Sequence, residues 1–134
     1  MTTHLINKKS SAVYDIRYHI ILATKYRKKI LVGDVIPFLT QLLHQIAKKR
    51  QLSLQSLSIQ PDHIHFFLLA DPLNAPYDYV KSFKGITGLR LFQQFPKLKR
   101  KLYKGKLWSP SYWINTVGAM SSETVERYVA NQSN

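Results

Sequence analysis

The order of elements along the chain predicts an α+β domain of the ferredoxin-like, RRM-like split βαβ type. It pairs an antiparallel sheet with helices on one face and adds a C-terminal helix. Three observations carry this: strand segments with a period of two, intervening segments with the helical period, and a short Gln60-Pro61-Asp62 link fit for a hairpin. At 134 residues the chain forms one domain, 1–134, large enough to bury most of its apolar surface.

The first strand is SAVYDIRYHIILATK, where Tyr14, Ile16, Tyr18, Ile20 and Leu22 share one face and Asp15, Arg17 and His19 share a half-exposed other. A basic turn, KYRKKILVG, leads to a helix over DVIPFLTQLLHQIAKKR. Asp34 is its expected cap, Pro37 falls in its first turn, and Ile36, Leu39, Leu43, Ile46 and Ala47 form its buried stripe. QLSLQSLSIQ alternates as a second strand but changes phase at Gln55 and Ser56, which predicts a bulge. The third strand, PDHIHFFLLA, follows.

From Pro76, YDYVKSFKGITGLRLFQQF returns to the helical period, with Tyr77, Val80, Phe83 and Leu91 as its stripe. Gly85 and Gly88 interrupt it, which suits a backbone packed closely against a neighbour. PKLKRKLYKGKLWSP reads as a short helix and loop, SYWINTVG as a fourth strand, and SSETVERYVANQ as a final helix capped by Ser121 or Ser122.

Lys and Arg total 20 against 7 Asp and Glu, a formal charge of +13 with a pI near 10.1. Such a field selects a polyanion, and nucleic acid fits better than a membrane because no single basic amphipathic helix carries the excess. The seven acids are scattered, so a site built on clustered carboxylates is excluded. Without cysteine there is no disulfide, thiolate metal site or cysteine nucleophile. The opening MTTHLINKKS has no signal-like apolar run and no stretch approaches membrane-span length, so the expected setting is cytosolic.

On the third strand His63, His65, Phe67 and Leu69 point to one face, and Ile64, Phe66, Leu68 and Ala70 to the other. Two imidazoles at i and i+2 stand side by side, where one cation would bridge them. Alone, the pair is equally compatible with a metal site and a polar sheet face. On the final helix Val125, Tyr128, Val129 and Gln132 share a face, with Tyr128 and Gln132 one turn apart. Laid over the histidine-bearing face, that helix would bring together two imidazoles, an amide oxygen and a phenol.

PDHIHFFL resembles the His-hydrophobic-His motif of HUH endonucleases, and ETVERYVANQ resembles the tyrosine helix of single-tyrosine transposases of the IS200-like class. YHIILATKYRKKIL, SFKG and LWSPSYWINTVG resemble the same family in order and spacing, so the likeness covers nearly the whole chain. The resemblance implies that Tyr128 is a nucleophile forming a 5'-phosphotyrosyl link, that His63 and His65 hold a divalent cation, and that Gln132 is a third ligand. Two imidazoles and an amide suit zinc or manganese. The family implies Mg2+ or Mn2+ with substrate oxygens completing the shell, and that reading is adopted. Asp62 is read as a turn residue rather than a partner of His63.

The resemblance further implies single-stranded DNA with hairpin ends as partner, a homodimer with active sites that subunits could share, and a prokaryotic, nucleoid-associated location. The basic groups expected to meet DNA are Lys25, Arg27 and Lys28 with Lys81, Lys84 and Arg90. Trp108, Tyr112 and Trp113 are placed either to stack on unpaired bases or to fill a core or subunit interface. Two other readings stay open: a non-catalytic single-stranded nucleic-acid-binding module, and a domesticated transposase acting on chromosomal repeats. A two-histidine phosphoesterase is disfavoured, since no second histidine repeat exists.

Overall fold

The computed structural model describes residues 7–9, 12–14, 16–102 and 105–116. Two short strands, β1 (Asn7–Lys9) and β2 (Ala12–Tyr14), pair with each other. The main sheet contains β3 (Ile16–Ala23), β4 (Ser53–Gln60), β5 (His63–Ala70) and β6 (Trp113–Thr116), ordered β4-β5-β3-β6 with every pairing antiparallel. With α1 (Val35–Lys49) between β3 and β4, and α2 (Pro76–Gln94) and α3 (Pro96–Arg100) between β5 and β6, this is the expected ferredoxin-like arrangement. The final helix, with Tyr128 and Gln132, lies outside the described residues.

The helical layer covers the sheet face built from Ile20, Leu22, Ile64, Phe66 and Leu68, which meet Leu39, Leu43, Phe83 and Leu91 in one core. Phe66 and Phe83 pack with ring centroids 5.2 Å apart. Each such side chain contributes about 1.5–3 kcal/mol when fully buried. The bulge falls where the phase change places it: the β4 register shifts between Gln55 and Ser58, and Ser56 takes φ 51°.

The first strand is not continuous. Ile16 already pairs with Ala70, the last residue of β5, so residues before it have no partner there and Ala12–Tyr14 pair with Asn7–Lys9 instead. Arg17 and His19 are buried rather than half-exposed. Asp34 makes no capping hydrogen bond, because its own backbone is already helical. Leu42 and Val35 take the place of Ile36, which is exposed. In α2 the core takes Tyr79 and Thr87 while Tyr77 faces solvent. Gly88 meets Leu107 at ordinary contact distance, and no described residue comes within 4 Å of a Cβ placed on Gly85, so close packing among the described residues explains neither glycine.

Candidate metal centre and nucleic-acid interface

Strand alternation places His63 and His65 on the sheet face away from α1 and α2, with rings stacked at 5.9 Å between centroids and 24° between planes. They are 8% and 4% exposed, so this face is withdrawn from water as fully as the apolar one. The β3–β5 register sets His19 opposite Phe67. This adds a third imidazole to the face, edge-on to His65 at 6.0 Å and packed on Phe67 and Trp113. Sequence reasoning placed His19 on the polar side of its strand without assigning it to this site. The missing signal was the strand pairing.

Burial, then the charge of the neighbouring imidazole, pushes both His19 and His65 down to about 4. Both rings are therefore neutral at pH 7, which leaves each a nitrogen lone pair. Asp62 is more than a turn residue: its Oδ1 accepts a hydrogen bond from His63 Nδ1 at 2.8 Å, and its Oδ2 accepts one from Arg27 Nε at 3.1 Å. Burial works to raise the Asp62 carboxyl, but the hydrogen bonds from His63 and Arg27 and the charge of Arg27 hold it below its ordinary value. A proton fixed on Nδ1 directs the lone pair of His63 to Nε2, the arrangement common in metal-ligating histidines.

Arg27 reaches Asp62 from an unusual turn, since Tyr26 and Arg27 both take left-handed backbone, φ 58° and 53°. Each such non-glycine residue costs on the order of 1 kcal/mol or more. The turn is fastened to the Pro61-Asp62 link by Thr24 N on Asp62 O at 2.9 Å and Leu31 N on Pro61 O at 2.9 Å. The buried Thr24 hydroxyl also donates to Lys28 O at 2.7 Å.

Lys25, two residues before Arg27, lines a pocket of about 640 Å³ between α2 and the segment preceding β6. Lys81, Lys84, Lys99 and Lys106 line it too, with aromatic walls that include Trp108 and Tyr112 and, among the described residues, without an acidic side chain. Of the basic residues expected to meet DNA, Lys25, Lys81 and Lys84 therefore meet in one place. The Lys84 ammonium donates to Ser109 O at 2.7 Å and Pro110 O at 3.2 Å, and burial followed by repulsion from Lys106 lowers its proton affinity. Arg90 lies elsewhere, in a groove between α1 and α2 with Lys49 and Arg50. Trp108 belongs to the core, its indole N–H donating to Thr87 Oγ1 at 2.8 Å. Lys28 is exposed on the basic turn.

Two imidazoles side by side, one oriented by a carboxylate, fit a divalent cation as two of its ligands. Among the described residues no group of three His, Cys, Asp or Glu side chains is placed to hold a metal. The rest of a shell would come from amide, water or substrate oxygens, and the expected third ligand, Gln132, lies outside the described residues. Among the described residues no helix is long and apolar enough to cross a membrane.

A ferredoxin-like sheet thus carries a paired-histidine strand, a basic turn and a basic aromatic pocket, the features that the resemblance to single-tyrosine transposases leads one to expect. The family described as Transposase IS200 like matches residues 12–132, and the chain belongs to that family. It is 39% identical over 127 residues to the ISDra2 transposase TnpA of Deinococcus radiodurans, covering 95% of this chain and 91% of that one. It is 26% identical over 119 residues to the IS200 transposase of Salmonella typhimurium, covering 89% and 78%. A crystal structure of a Deinococcus radiodurans R1 protein described as a transposase superposes with TM-score 0.78 at 38% identity, covering 95% of this chain and 98% of that one. A REP-associated tyrosine transposase bound to a REP hairpin shares the fold, with TM-score 0.61 at 11% identity, covering 92% and 68%.

Proposed function

We propose that this transposase cleaves and rejoins single-stranded DNA at the hairpin-bearing ends of an insertion sequence, acting as a homodimer through a 5'-phosphotyrosyl link on Tyr128. The observation that carries the reading is the stacked, buried His63–His65 pair with Asp62 on His63 Nδ1. Attack by the Tyr128 phenol oxygen forms the O–P bond as the P–O3' bond breaks, the phenol proton is lost, and the departing 3' oxygen takes up a proton. Because the link stores the phosphodiester bond, a 3'-hydroxyl from another end reverses the step and joins new ends without ATP. His63 and His65, with Gln132, hold a divalent cation, Mg2+ or Mn2+, which when bound neutralises charge on a non-bridging phosphate oxygen. Lys25, Lys81 and Lys106 draw the strand into the basic pocket, and its aromatic walls suit unpaired bases.

The test incubates the protein with Mg2+ or Mn2+ and single-stranded element-end DNA and looks for a covalent protein–DNA adduct. The adduct is expected from the natural protein and absent in Tyr128→Phe. No adduct from the natural protein, or an unchanged one from Tyr128→Phe, sinks the reading.

A further inference from the structure

Two turns 35 residues apart in the sequence are clamped together beside the histidine pair. One carries the basic cluster Lys25 to Lys29, the other Pro61 and Asp62. Lys25 faces the basic pocket, and Arg27, on the same turn, spends its Nε on Asp62. The two oxygens of one carboxylate are thus divided between a guanidinium and the His63 ring. The Arg27 side chain is 65% exposed, so a phosphate can reach it. An ion pair this exposed contributes little to stability, while the turn that delivers it holds two left-handed non-glycine residues. Fold stability therefore does not explain the arrangement, and a role toward the ligand does.

We infer that Arg27 is a positioning residue that reads a nucleic-acid phosphate and transmits its presence, through Asp62, to the imidazole of His63. A phosphate on the free face of the guanidinium holds Arg27 in place. That holds Asp62 on Nδ1, and Nε2 stays aimed at the cation. The consequence is reciprocal: DNA tightens the metal and the metal tightens DNA by the same factor. This rests on the metal reading of His63 and His65 above.

The experiment measures Mn2+ affinity by calorimetry with and without saturating oligo-dT, and oligo-dT affinity with and without Mn2+, in the natural protein and four variants. The natural protein is expected to bind Mn2+ about tenfold tighter with the oligonucleotide present. In Arg27→Ala that ratio falls to about one, and Arg27→Lys, which keeps the charge but not the guanidinium fork, does not restore it. Lys29→Ala removes one charge from the same turn without touching Asp62 and keeps the ratio. Asp62→Ala weakens Mn2+ about 10–100-fold whether or not DNA is present. Nitrogen-15 spectra of the metal-free protein are expected to show His63 protonated on Nδ1, and to show that proton redistributed between the ring nitrogens in Asp62→Ala. An undiminished ratio in Arg27→Ala, or an equal loss in Lys29→Ala, overturns the relay while leaving the metal site standing. No Mn2+ binding by the natural protein overturns both.

Discussion

Lowering the pH of the metal-free protein from about 7 to about 4.5 weighs the cost of burying His19 and His65, which share the buried sheet face 6.0 Å apart. Both titrate near 6.5 in the unfolded chain and at about 4 when folded. Their folded pKa is depressed, so below 6.5 the unfolded chain binds protons first. Stability falls as pH falls, until about 4, where the folded rings protonate as well. By pH about 4.5 one such imidazole has removed about 2.5 kcal/mol, a large share of the 5–15 kcal/mol typical of a domain. Urea unfolding in EDTA, followed by tryptophan fluorescence at several pH values, reads this directly. Asp62 is held below its ordinary value and loses stability in acid too, so the comparison that isolates the face is His19→Leu. That variant keeps an apolar side chain of similar size and should lose about 2 kcal/mol less than the natural protein between the two pH values. Parallel pH profiles for the two proteins would show that His19 is protonated normally in the fold and would refute the argument.

The lysines of the pocket should separate by what their ammonium groups already do. Lys81→Met should lower the salt slope of single-strand binding by about 0.7, because it removes a phosphate contact. Lys84→Met should leave that slope nearly unchanged, since its ammonium is committed to Ser109 O and Pro110 O, and filter binding across a salt series distinguishes the two. Trp108→Phe removes the buried hydrogen bond to Thr87 and part of the ring that fills the core. It should cost about 2–4 kcal/mol in chemical denaturation. A cost near zero would place Trp108 outside the core.

Much of this architecture was legible because it depends on periodicity. The alternation of His63 to Ala70, the Gln60-Pro61-Asp62 link and the phase change at Gln55 and Ser56 are local signals, and all describe the main sheet correctly. Asn7–Lys9 was not legible as a strand, because NKK has no apolar alternation and pairs only since Ala12–Tyr14 find no partner in the main sheet. The missed parts of the site are all contacts between distant segments. His19 joins the pair through the β3–β5 register, and Arg27 reaches Asp62 across 35 residues of chain through left-handed backbone that no residue type there announces. Composition marks Lys84 as a phosphate ligand as readily as Lys81, and only the carbonyls before β6 distinguish them.

The two histidines have the same side chain and face the same way, yet the fold prepares them by different means. His65 stands between His63 and His19 over a buried face, and withdrawal from water strips its proton. His63 stands at the start of the strand, where the turn supplies a carboxylate, and a hydrogen bond rather than burial sets which nitrogen is bare. Under the proposed reading the two means are complementary, since burial keeps the His65 ring unprotonated and the carboxylate fixes the proton on His63 Nδ1. Phe67, packed on His19, and Leu69 complete the dry side of the pair, while Asp62 and Arg27 form its more exposed side. The exposed end of the pair is therefore the end at which the histidine is oriented by charge, through the hydrogen bonds that join Arg27, Asp62 and His63.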